Sequence, residues 1–223
     1  ISISAALGEN KALSQINLNS DTATFDSMTS TGEILIETLT GNIIVPQSLT
    51  TSSNSANAIV INAGKNSNAG DASGGNIIIS GSPNLTVGNG GLIKLFTGGI
   101  SQSTGLVGYI GNSSGNFRYN SDEQTTNYTL NLTPNVVSAI YREEVNLSVS
   151  LDDKTILYGD SAPTFTATVN GLVNGGLTNS ASLRSRTEFG GLGIRKTTSL
   201  CPLEGGSVTR QWKFPDPGTF IGL

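Results

Sequence analysis

The chain has 223 residues, 28 of them glycine, with only 13% charged residues, a formal net charge of −4 and no histidine. An acidic balance argues against nucleic-acid binding, and the lack of histidine removes the commonest general acid/base and metal ligand. Cys201, the single cysteine, can form no internal disulfide and leaves the compartment open.

The first residue is Ile rather than Met, and Ile1-Ser2-Ile3 reads like the middle of a strand. The expectation is an internal piece of a longer protein whose targeting segment, if any, lies upstream. No apolar run reaches membrane-spanning length. Short aliphatic runs then follow at 16–18, 23–25, 34–36 and 43–45, separated by Asn19-Ser20-Asp21, Ser30-Thr31-Gly32 and Thr40-Gly41-Asn42. Runs of that length rich in Ile and Val, between such turn residues, predict strands.

Three more runs, at 58–61, 77–79 and 92–96, lie between loops made of Gly, Ser, Asn and Asp. Their starts at 58, 77 and 92 suggest one coil of a parallel solenoid for every 15 to 20 residues. A phrase recurs as well: Gly32-Glu33-Ile34, Gly41-Asn42-Ile43, Gly75-Asn76-Ile77 and Gly91-Leu92-Ile93. The predicted fold is all-β: a right-handed parallel β-helix over 1–135, in which no coil can bury its aliphatics alone and neighbours stack to do so. Corner glycines and asparagines are expected to supply positive φ.

From 100 to 135 the pattern loosens. Runs at 106–110, 117–119 and 128–132 are read as strands, and Tyr109, Phe117, Tyr119 and Tyr128 arrive together, as suits the capped end of a rod. Residues 136–144 read as a linker. Residues 145–178 read as a partial antiparallel β domain, because 145–151 and 165–169 alternate polar and apolar. The tail, 179–223, has six Lys/Arg against three Asp/Glu, holds the only Cys and Trp, and lacks alternation. It is either a distinct basic module or a truncated, out-of-frame or disordered end, and the missing recognisable element favours the second.

Candidate chemistry is sparse. A β-helical polysaccharide lyase or hydrolase needs carboxylates, or carboxylate plus Lys or Arg, converging from adjacent coils. The central coils offer Lys65, Asp71 and Lys94; Glu33 and Glu37 share one strand face; Asp152/Asp153 and Glu143/Glu144 are adjacent pairs suited to turns and linkers. Gly74-Gly75-Asn76 lacks the recurring aspartate of a calcium nonapeptide repeat, and Gly88-Asn89-Gly90-Gly91 lacks the ending of a phosphate loop. Tyr158-Gly159-Asp160 reads as a turn. Sequons at Asn84, Asn112, Asn127, Asn131 and Asn146 follow from composition. Thr22-Ala23-Thr24 does not recur coil by coil, as an ice- or mineral-facing array would require. No catalytic residue, metal ligand or cofactor is expected, and no ligand-binding residue stands out.

The stretches Ala56-Asn57-Ala58-Ile59-Val60-Ile61-Asn62, Ser73-Gly74-Gly75-Asn76-Ile77-Ile78-Ile79 and Leu92-Ile93-Lys94-Leu95-Phe96 resemble the repeats of bacterial exoproteins of the filamentous-haemagglutinin type. Residues 147–171, with Tyr158-Gly159-Asp160, are similar to the small β repeat domains bearing a Tyr-Gly-Asp motif in the same surface proteins. The resemblance implies a very long polypeptide exported by two-partner secretion through an outer-membrane partner, forming a fibre at the cell surface. It further implies adhesion to host or bacterial glycans and proteins, without nucleic acid or membrane insertion. The alternative is a β-helical polysaccharide-degrading enzyme or another carbohydrate-binding solenoid.

Overall fold

The computed structural model describes residues 2–8, 11, 13–151 and 167–174, and the strands at 184–189, 194–199 and 207–210. The first full coil is β1 (Ile16–Ser20), β2 (Ala23–Thr24) and β3 (Met28–Ser30). The next is β4 (Ile34–Thr38), β5 (Ile43–Val45) and β6 (Leu49–Thr51), and the third β7 (Ile59–Asn62), β8 (Ile77–Ile79) and β9 (Leu85–Thr86). A fourth begins with β10 (Ile93–Thr97) and continues into a helix, α1 (Leu106–Ile110), after which β11 (Phe117–Arg118) and β12 (Val137–Tyr141) extend the first sheet. Like strands stack in parallel into three sheets, ordered β1-β4-β7-β10-β12-β11, β2-β5-β8 and β3-β6-β9. The rod is a parallel β-helix.

Registration of aliphatic side chains holds it together. Ile16, Ile34, Ile59, Ile93 and Val137 occupy one column of the first sheet, and Leu18, Ile36, Ile61, Leu95 and Ala139 the next. Ile43 stands over Ile77 in the second sheet and Leu49 over Leu85 in the third. Ile34, Ile36, Ile43, Leu49, Ile59, Ile61 and Ile77 are wholly buried. Each stabilises the rod by about 1.5–3 kcal/mol through side-chain burial. β-branched residues suit this lattice because their stiff χ1 costs little extra entropy in a strand.

The spacing differs from the sequence expectation. The runs at 58, 77 and 92 are not successive coils; they are β7 and β8 of one coil and β10 of the next. Strands of the first sheet start at 16, 34, 59, 93 and 137, so successive intervals are 18, 25, 34 and 44 residues. The loops lengthen while the strand columns stay in register. Consequently Gly41-Asn42-Ile43 stacks under Gly75-Asn76-Ile77, while the Gly32 and Gly91 phrases both lead into first-sheet strands.

The corner glycines also answer to a different constraint. Gly64 has φ +73° and needs glycine for its backbone, but Gly41 and Gly75 do not have positive φ. A Cβ on Gly41 would meet Asp21 O at 1.9 Å, and one on Gly75 would meet Gly41 O at 2.0 Å. Glycine is required there because adjacent coils touch backbone to backbone.

Residues 106–110, expected as a strand, are the helix α1. Leu106 is buried, and the turn before it reaches the edge of the second sheet, where Ile79 N donates to Thr104 O at 3.0 Å. The helix replaces the fourth-coil strands of the second and third sheets, covering an edge that would otherwise expose unpaired backbone. Residues 128–132, also expected as a strand, form none. Nor is 136–144 a linker: Val137–Tyr141 inserts between β10 and β11, pairing in parallel with both. Its five apolar and small residues fit a strand buried on both faces.

Beyond the rod, β13 (Asn146–Leu151) pairs antiparallel with β14 (Ala167–Asn170), as an antiparallel domain requires. In the tail, β15 (Arg184–Phe189) pairs antiparallel with β16 (Ile194–Ser199), and β17 (Ser207–Arg210) lies parallel to β13. Strand structure therefore continues past 178. Asp152, Asp153, Tyr158-Gly159-Asp160 and Cys201 lie outside the described residues. The second module is seated on the end of the rod: Val145 and Leu147 are buried in the rod's core cluster. Asn174 Nδ2 donates to Tyr119 Oη at 3.0 Å. Phe117, Tyr119 and Tyr141 stack beneath, with centroids 5.6–6.3 Å apart, as the bulky cap anticipated from the aromatics.

Candidate functional site: the outer face of the first sheet

In a lone coil the outward residues of the first sheet would be wet. Here Val60, Phe96 and Ile140 face outward yet are buried, because residues 122–136 leave the ladder and fold over them as a flap. Tyr128 and Leu132 pack on that patch, together with Leu35. The consecutive apolar residues Ile59-Val60-Ile61 and Leu95-Phe96 are the signal in the sequence, since a strand covered on both faces does not alternate.

Three side chains fasten the flap. Arg118, buried, donates to Gly115 O at 2.8 Å, Phe117 O at 2.9 Å and Asn131 O at 3.2 Å, and its guanidinium lies 5.5 Å from the Tyr128 ring centroid. Asp122 accepts from Ala69 N at 2.7 Å, Gln124 N at 2.7 Å and Thr125 N at 2.5 Å. Burial works to raise the Asp122 pKa, but those three backbone N–H groups, with Arg142, outweigh it and hold the carboxyl below its ordinary value. Arg142 is completely buried and donates to Ala63 O at 2.8 Å, Asn62 Oδ1 at 2.5 Å and Glu123 Oε2 at 3.3 Å. Burial lowers its pKa, against the opposing pull of Glu123, Asp122 and Asp71. Nothing in the sequence singled out Arg142 except a charge placed directly after a strand.

At the flap's margin is an open cavity of about 450 Å³, lined by Ala56, Gly90, Leu92, Lys94, Tyr128, Asn131, Leu132 and Pro134. Lys94 projects outward from β10 and donates to Asn57 Oδ1 at 2.9 Å. Burial lowers the Lys94 pKa, while the Glu33 carboxylate, two coils away, pulls it back up. The Gly88–Gly91 turn forms one rim. Asn135 clamps that turn, accepting from Gly90 N at 3.0 Å and donating to Gly88 O at 3.1 Å.

The other residues weighed in the sequence are scattered. Lys65 and Glu37 pair at 2.8 Å, Glu33 accepts from Ser55 Oγ at 2.6 Å, and Glu143 accepts from Ile100 N at 2.6 Å. Asp71 accepts from Ser73 N and Oγ, which lowers its pKa. Glu144 is exposed. Asn76, within the Gly-Gly-Asn phrase, accepts from Gly99 N at 2.8 Å and so tethers a coil corner. Of the sequon asparagines, Asn127 donates to Asn120 O inside the flap and Asn131 lines the cavity. Among the described residues no three His, Cys, Asp or Glu side chains group as metal ligands would. No helix of the described residues is long and apolar enough to cross a membrane.

Residues 147–194 match the MBG domain (YGX type). That match begins within β13 and spans the Tyr158-Gly159-Asp160 motif, extending beyond the 178 boundary drawn from alternation. Domains of this type are found in bacterial surface and adhesin-like proteins. Neither the curated proteins nor the solved structures contain a match.

Proposed function

We propose that this chain is a stalk segment of a secreted or surface-anchored bacterial exoprotein of the filamentous-haemagglutinin type, exported through an outer-membrane partner. It acts outside the cell as a rod, presenting weak, repeated contacts to host or neighbouring-cell glycans or proteins, and performs no catalysis. The observation that carries this reading is the stacked three-sheet rod with an MBG-type domain seated on its end. A rod of stacked coils adds reach and repeated surface with each coil, so weak contacts gain by avidity. Glu33 and Asp71 are held by separate serines and Glu37 by Lys65, so no two of these carboxylates share a partner, which favours it over a polysaccharide lyase or hydrolase.

The test is adhesion of the full chain displayed on beads to glycan- and protein-coated surfaces, compared with the soluble chain. Retention about a hundredfold stronger on beads is expected from multivalency. Absence of adhesion in both formats, or depolymerisation of pectin-like or alginate-like polymers, would overturn the reading.

A further inference from the structure

We propose that the cavity between residues 128–134 and the first sheet binds a carboxylated sugar, a hexuronate unit of an acidic polysaccharide. This rests on the adhesive reading above and names the chemistry of one of its contacts.

Lys94 is the only charged residue in the cavity lining. The Lys94 side chain is partly covered, and among the described residues its ammonium has no carboxylate within salt-bridge distance; its acceptor, at the open side of the cavity, is the neutral amide of Asn57. The contrast with Lys65, which has Glu37 at 2.8 Å on the same sheet face, is direct. Glu33 is the acid facing Lys94, but its Oε1 is engaged by Ser55. A partly covered cation held only by an amide gains most from an added anion, because an opposite charge adds Coulomb attraction that the neutral amide cannot supply, and partial exclusion of water strengthens it. Around it, Leu92, Leu132, Pro134 and Tyr128 supply apolar surface for the C–H face of a sugar ring, and Asn131 supplies an amide for its hydroxyls. A cavity of about 450 Å³ is of ligand size, and it is open, as the interior of a polymer chain requires. An acidic peptide would match the cation but would leave the apolar lining less well used.

The experiment is titration of the soluble full chain with trigalacturonate and with its fully methyl-esterified form, followed by ligand-observed NMR. The acid is expected to bind at least about tenfold more tightly than the ester and to weaken with added salt. Lys94→Gln should reduce acid binding to the level of the ester, and Lys94→Arg should restore it, with far-UV dichroism unchanged in both. Equal binding of acid and ester, indifference to Lys94→Gln, or equal or tighter binding of triglutamate would overturn the proposal. Lys94→Gln beads that still adhere to glycan surfaces, with trigalacturonate not bound by the wild-type chain, would remove this site and leave the adhesive rod standing. Beads that adhere to nothing would remove the rod's function itself.

Discussion

Replacing Gly41 by Ala separates two explanations of why glycine occupies the corners of this rod. Gly41 lacks a positive φ, so backbone preference alone predicts that Ala stabilises by about 0.4–1 kcal/mol through the unfolded chain. The stacking geometry predicts the opposite. The new Cβ would lie 1.9 Å from Asp21 O and 2.8 Å from Thr22 Cγ2 on the coil below. A comfortable C···O approach is about 3.3–3.6 Å, so the corner must open by about 1.4 Å in a stack whose rungs are about 4.8 Å apart. The coil above allows no retreat, because Gly41 O is already against Gly75. Opening strains the 3.2 Å bond from Ala23 N to Asn42 O and the bond from Thr38 Oγ1 to Gly41 O, at about 1 kcal/mol each. Overpacking adds about 1–3 kcal/mol. The expected net loss is about 3 kcal/mol. Gly90→Ala is the control: φ is +95° and nothing lies within 4 Å of the added Cβ, so only the left-handed backbone penalty of about 1–2 kcal/mol applies. Urea denaturation of both variants gives the comparison through the midpoint at unchanged slope. A Gly90→Ala loss equal to or larger than that of Gly41→Ala would refute the stacking argument.

Thr97→Val should cost about 1–3 kcal/mol in the same assay, because Thr97 Oγ1 accepts from the buried Ile77 N at 2.9 Å and valine leaves that donor unpaired. Arg142→Met should destabilise by about 3 kcal/mol, with amide exchange accelerated at 63–71 and 119–125 before the rest of the rod. Asp122 has a folded pKa below its unfolded value, so its contribution is present at neutral pH and is lost as pH falls below about 4. Asp122→Asn should flatten that part of the stability–pH curve. Burial lifts the Tyr119 pKa to about 12, offset in part by the hydrogen bond from Asn174. Its phenolate signal in an absorbance titration should emerge only above the range of exposed tyrosines, and its stabilisation should be lost as pH rises through that value.

The sequence makes the local elements plain. Ile34-Leu35-Ile36, Ile43-Ile44-Val45 and Ile77-Ile78-Ile79 are strands because β-branched residues stand between turn formers, and they are strands in the rod. Register is less legible, because nothing in a short apolar run says which of three sheets it joins. Only alignment of Gly41-Asn42-Ile43 with Gly75-Asn76-Ile77 carries that information, and the growing loops hide it. Residues 106–110 illustrate a further limit: a five-residue apolar run fits a buried strand and a short helix equally by periodicity. Tyr128 and Leu132 lie in a flap rather than a strand, because alternation is also what a flap needs when it packs one side on Val60 and Phe96. Lys94 was visible as a lone lysine, but its uncompensated burial depends on that flap.

The central claim is that strands distant in sequence stack rung on rung in parallel. Asn17, Leu35, Val60 and Lys94 hold one outward column, so Asn17 and Lys94 are three rungs apart. At about 4.8 Å per rung their backbones lie about 14 Å from one another despite 77 residues of separation. Dipolar broadening between spin labels at positions 17 and 94 measures this directly. The stacked rod predicts strong broadening from a narrow distance distribution near that value; its absence, or distances far beyond it, would contradict parallel stacking.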